Sequence, residues 1–458
     1  MRFSPELADI RFGCGLSPAV APPHSIEAVL SGLQAPDTMA TRFPIDGFAT
    51  FQTRVEELSD LRRKAREERA NKQHQKKVRK ANRAAMSRLA HWMGQSMLRW
   101  SWSETPFRER LVAFWADHFT AVGKRSPLTA GVSPFIESAI RPNIAGNFAD
   151  LLIAASTHPM MLHYLDQSLS IGPGSRAAGK NPRRSGLNEN LAREVLELHT
   201  LGVGGPYSQA DVRQLAELFT GMSLDRRAEF VFRRAWAEPG AEQILGRSYG
   251  GARPRLAHIH DALRDIALHP ATAAYIAQKL AVHFVSDTPA PDLVAHLTAR
   301  FLASGGDLMQ TYAALLEHPS AWAPELRNVK PHIDYVATSC RALALSPDRT
   351  ATTRAGHVRR TMIGPLRVMG QFWQRPGGPD GWPEEDAAWV TPQGIAARLQ
   401  WAMSVPQLLR PDLPDPVAFV GTTLGSYASE PVRFAASAAE SKAEAIGLVL
   451  SAPAFQRR

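Results

Sequence analysis

From about Ala90 to the end of the chain, apolar residues recur every three to four positions, whereas alternating strand patterns are few and short. A core assembled from such segments has to be built by packing the apolar stripes of helices. The run TPFRERLVAFWADHFT shows how: Thr105 can cap, Pro106 suits the first helical position, and Phe107, Leu111, Phe114, Trp115 and Phe119 form one stripe. EFVFRRAW is the best strand candidate, and a small hairpin with the segment near QILGRSY is expected. The expected fold is therefore mainly α, a single large multi-helical domain with a small β-hairpin.

Helical runs end in short breaks at His158, His269, His318 and Ala452, each followed by proline. A residue before proline disfavours the α region, so each step should end one helix and let Pro start the next. The spacing of the breaks is too uneven for a solenoid. This structural duty also argues against a catalytic role for His158. Two cysteines, Cys14 and Cys340, are too few for a disulfide scaffold and read as small buried apolar residues. No stretch is long and apolar enough for a transmembrane segment, and the N-terminus lacks an apolar signal core, so a cytoplasmic location is expected as the sequence stands.

The net charge is +10, and its distribution matters more than its size. Between Arg62 and Arg88 lie twelve Lys or Arg and two acids, Glu67 and Glu68, so this run carries the whole excess. It is rich in helix formers and free of Gly and Pro, and reads as an exposed basic helix. A solvated charged face is its plain reading. It also lacks the aromatic residues that stack on bases, which makes nucleic acid the weaker partner class. The division expected from these features is an N-terminal segment, 1–60, packed on the core; the basic helix, 61–92; and a helical core domain, 93–458.

GSRAAGK matches the glycine and lysine spacing of a phosphate-binding loop from Gly174 to Lys180, but Asn181 and Pro182 follow where a magnesium-holding Ser or Thr and an opening helix belong. What survives is a basic loop, with Arg176, Lys180, Arg183 and Arg184 as candidate anion-binding residues ahead of a helix start at Asn188. That helix, NENLAREVLELHTLGV, is the most informative segment. At 100° per residue, Leu191, Val195 and Leu198 face the core, and Asn190, Glu194 and Glu197 lie together on the adjoining face. The candidate pocket is Asn188, Glu189, Asn190, Arg193, Glu194, Glu197 and His199, with salt bridges from Arg193 as the structural alternative. Carboxylates at this spacing can join ligands from other helices, so His118, His163, Asp166, Glu194 and Glu197 are the candidate set for a divalent metal. His118 also falls on the Phe107 stripe, where a hydrogen-bonded core histidine is expected. The Gly- and Pro-dense segment RPGGPDGWPEEDAAWVTPQG holds Trp382 and Trp389 beside acids, and such loops often line pockets.

The string HPMMLHYLDQSLSIGPGS…GLNENLAREVLELHTLGVGGPYSQADVRQLAELFTGMS closely resembles the signature of the bacterial family called domain of unknown function 1800. RFGCGLSP, ERLVAFWADHFT, HPATAAYIAQKLAVHFVSD, GWPEEDAAWVTPQGIAARLQWA and LVLSAPAFQRR are similar to its other blocks in the same order. The resemblance implies a helical protein without an established activity, often exported, whose gene neighbours a phosphatase- or sulfatase-like protein. The chain departs from the pattern at Met222 and at Ala237, Glu238 and Glu242. Together these readings favour an accessory or binding protein with a polar pocket between helices, acting with that phosphatase-like partner and, with it, open to export. The alternatives are a metal-assisted hydrolase and nucleic-acid binding through the basic helix.

Overall fold

The computed structural model describes residues 3–68, 72–124, 128–180, 186–348 and 355–458. Among the described residues the protein is 65% helical, with two small antiparallel two-stranded sheets, in a single multi-helical domain. No described helix is long and apolar enough to cross a membrane.

The His-Pro breaks do what their sequence requires. His158, His269 and His318 each stand at a helix N-cap with Pro at the next position. Their Nδ1 atoms accept the backbone N–H of Met160, Ala271 and Ser320 at 3.1, 3.1 and 3.3 Å. Each imidazole thus satisfies a donor that the helix start leaves unpaired.

Two apolar clusters form the interior. The first gathers Phe107, Leu111, Phe114 and Trp115 of the Pro106–His118 helix with helices up to Trp322. The second gathers Met93 and Met97 of the Lys72–Trp102 helix with Tyr335, Leu366, Trp401 and Leu450. The N-terminal segment feeds both, through Leu7, Phe12 and Leu33 on one side and Cys14, Met39 and Phe43 on the other. Both cysteines are buried free thiols.

Two expectations need correction. The basic run is not one helix, because it spans the end of Phe48–Glu67 and the start of Lys72–Trp102. Arg62 Nη2 donates to Asn82 Oδ1 at 3.1 Å, so the two helices lie back along each other as a hairpin. Folding back returns both apolar ends, Phe51 and Val55 on one arm and Trp92 and Met93 on the other, to the core. The β element also pairs differently: Phe230–Phe232 joins Met222–Leu224, and Gly240–Ile244 joins Arg247–Gly251. QILGRSY turns on itself at Leu245 and Gly246, whose φ values of 50° and 77° suit a two-residue hairpin loop. EFVF is turned back by Asp225, whose Oδ1 accepts the N–H of Arg227 and Glu229 at 2.8 and 2.9 Å.

A candidate binding site at the seam of the two cores

The Pro106–His118 helix is fixed by its buried stripe and by Trp115, whose Nε1 donates to Tyr312 Oη at 2.6 Å while that hydroxyl donates to the Ile144 carbonyl at 2.9 Å. Its last turn carries Asp117 to the loop that holds Gly378, Asp380, Gly381, Trp382 and Glu384. The Trp382 N–H is 3.1 Å from both Asp117 oxygens. Gly381 is required here: its φ is +82°, and a Cβ would lie 2.5 Å from Asp117 Oδ2. Deep placement, then the charges of Glu384 and Asp380, push the Asp117 carboxyl up to about 8. At neutral pH it is a protonated acid that can donate a hydrogen bond.

Glu384 is handled in the opposite way. Its carboxylate meets His283 Nδ1 at 2.9 and 3.0 Å, and Arg110 Nη2 reaches His283 Nε2 at 3.0 Å. Arg110 can only donate, so Nε2 accepts and the ring proton sits on Nδ1, directed at Glu384. Burial, with Arg458 and Arg110 nearby, lowers His283 to about 4 and keeps it neutral. Burial works to raise the Glu384 pKa, but the His283 bond and the Arg458 charge hold it below its ordinary value. Arg110 and Arg458 both ion-pair with Asp334 behind this group. The site therefore sets a neutral carboxyl beside an ionised one.

Both carboxyls line a cavity of about 190 Å³ at the seam between the two apolar clusters. Trp100, Phe114, Phe372, Trp373 and Trp382 supply aromatic surface, and Arg110, His283 and Gln374 add polar groups. Gln374 is held in a left-handed backbone conformation, φ 52°, with its Oε1 accepting from Ser133 Oγ at 2.8 Å. Non-glycine residues take that conformation only where their surroundings enforce it. Other charges of the lining are already matched: Arg99 pairs with Glu137 at 2.7 Å, and Arg141 with Glu109 at 2.5 Å and, outside the lining, with Asp37 at 2.8 Å.

The NENLARE helix lies beside this cavity rather than lining it. Glu189 is the N-cap of its first stretch, Asn190–Glu194, and Asn188 Oδ1 just ahead accepts the Asn190 N–H at 2.9 Å. Past Glu194 the helix widens into a π-helix, Val195–Thr200. Bonds from i to i+5 bring residues four and five apart onto one face, so Leu191, Val195 and His199 go inward with Ala192 and Leu196, while Leu198 is only half-buried. The core face expected from 100° per residue is therefore displaced. Asn190 is exposed, and Arg193 spans Glu197 at 3.1 Å, Glu189 at 3.4 Å and Gln209 at 2.9 Å. Glu194 is half-buried, and desolvation, then Glu197 and Asp380, raise it to about 7 against the opposing pull of Arg193. Its carboxyl therefore holds its proton to higher pH than an ordinary glutamate. The charge of Asp380 reaches Glu194 because the Trp382 loop lies near the NENLARE helix.

The other candidate residues disperse. His118 is a core residue whose Nε2 donates to the His199 carbonyl at 3.2 Å, and its burial keeps it neutral. Asp166 is paired with Lys124 at 3.0 Å on the surface. His163 is half-buried. Among the described residues no group of three or more His, Cys, Asp or Glu is placed to hold a metal ion. Arg176 and Lys180 are exposed at the two ends of a five-residue helix, and Arg183 and Arg184 lie outside the described residues. The neighbouring Gly174 amide is already taken by the Glu238 carboxylate at 2.8 Å.

A family model described as protein of unknown function (DUF1800) matches residues 10–457. The chain belongs to the DUF1800 family. No curated protein and no solved structure matches it. The blocks that carry the DUF1800 resemblance are far apart in sequence, and the fold gathers them around the seam. ERLVAFWADHFT brings Asp117 and Arg110, HPATAAYIAQKLAVHFVSD brings Lys279 and His283, and GWPEEDAAW brings Trp382 and Glu384. The terminal LVLSAPAFQRR block supplies Arg458 behind them, and RFGCGLSP braces the frame through Arg11, which donates to the Ala321 and Glu325 carbonyls at 2.6 and 2.7 Å. Of the two tryptophans expected near a pocket, Trp382 lines the cavity, whereas Trp389 is buried against His332. Arg110, His283 and Glu384 were absent from the residues chosen by sequence. Of these, only Glu384 carried a local signal, the Gly-Trp loop with its acids.

Proposed function

We propose that this DUF1800 protein is a binding protein that holds a small hydroxylated ring compound in the seam cavity. One observation carries the reading: aromatic side chains and two carboxyls, Asp117 with its pKa raised by desolvation and Glu384 with its pKa lowered by His283 and Arg458, line the same cavity. Aromatic rings cover the flat apolar face of such a ligand, while a neutral acid donates to one hydroxyl and a carboxylate accepts from another. Saturation-transfer NMR against monosaccharides, nucleosides and hydroxylated aromatic acids tests it. At least one class should give signals with the native protein that vanish in Trp382→Ala. Equal signals from both proteins across the whole panel, or none from either, would overturn the reading.

A further inference from the structure

The basic hairpin takes no part in the cavity, and its chemistry points to a partner of its own. Lys72, Lys76, Arg79, Lys80 and Arg83 are all exposed on the Lys72–Trp102 helix. At 100° per residue they fall within about 100° of one another, a single stripe about 16 Å long. None of the five is ion-paired among the described residues, unlike Arg63 with Asp60 and His74 with Glu68 close by. The partner arm adds Arg62 and Arg66, which with Arg79 line the cleft between the two helices. Five like charges on one face repel each other, and no carboxylate on that face relieves them.

We propose that this stripe is a docking surface for the phosphate backbone of a duplex nucleic acid, bound without regard to base sequence. Three features select that partner. The cations are spaced along a line, as phosphates are along a strand. No aromatic side chain stands among them, so single strands have nothing to stack on. Met86 is the one large apolar side chain exposed between Lys72 and Arg88 among the described residues, so the hairpin lacks the apolar face that seats a helix in a lipid surface.

The test uses the full chain with a labelled 20-base-pair DNA duplex, the matching RNA duplex, the single strand, and phosphatidylserine vesicles. Native protein should bind both duplexes more tightly than the single strand, with log K falling against log salt at a slope of about −4.5 for five contacts. Replacing the five stripe residues by Gln, a good helix former, should abolish most of that slope, and circular dichroism should confirm that the variant remains folded. Gln at five exposed cations elsewhere, Arg226, Arg234, Arg253, Arg433 and Lys442, should leave the slope near its native value. Equal losses from both variants would show that only net charge matters and would overturn the proposal. So would binding to vesicles but not to duplexes, or no binding at low salt.

Discussion

Asp117 concentrates the argument at the scale of single residues. In the unfolded chain it ionises near 3.8, whereas the folded protein holds its proton up to about 8. Between these values the unfolded state sheds a proton that the folded state keeps, so the contribution of Asp117 to stability falls as pH rises through that window and levels off above it. Asp117→Asn keeps an acceptor for the Trp382 amide but cannot ionise. Denaturant melts should show the variant gaining on the native protein by a few kcal/mol from pH 4 to pH 8. Ligand affinity should behave in parallel: the native protein weakens as pH passes about 8 and the donor is lost, while the variant stays flat. Gly381→Ala makes a sharper demand, since it combines a left-handed backbone with a contact on Asp117. A loss of about 2–3 kcal/mol is expected, with Trp382 fluorescence shifted. Glu194→Gln should change little below about pH 4.5, gain on the native protein as pH rises to about 7 and hold that gain above it, because the acid there is desolvated and crowded by Glu197 and Asp380. A loss that grows as pH rises would mean that the ionised form has a partner.

The elements explain what could be read in advance and what could not. Stripes such as Phe107, Leu111, Phe114 and Trp115 and stops such as His269-Pro270 are local, so both were legible in the sequence. His269→Ala should cost about 1 kcal/mol, since it removes an N-cap acceptor without touching the core, and thermal melts measure it. The core face of the NENLARE helix differs from the one that α-helical angles predict, with His199 inward and Leu198 half-buried. A π segment adds a residue to the turn, and nothing in VLELHT announces it. The strand in EFVF was visible, but its partner depended on the Asp225 turn, and Leu-Gly is a weak signal for the turn in QILGRSY.

At the scale of the whole molecule, the site is a product of assembly. Asp117, His283, Trp382 and Glu384 lie on three segments up to 267 positions apart, and only the meeting of two apolar clusters brings them together. Periodicity reports which face of a helix is buried, but not which distant loop covers its end, so Arg110 and His283 carried no mark of their role. The resemblance blocks were the one sequence feature that pointed to all of them, without saying that they meet. The most direct measurement is a crystal structure of the protein with the tightest compound from the ligand panel. This account expects the ring of the ligand against Trp382, one of its oxygens within hydrogen-bond distance of the Asp117 carboxyl, and another within reach of Glu384. Ligand density anywhere outside the seam, or in the seam but beyond the reach of both carboxyls, would contradict it.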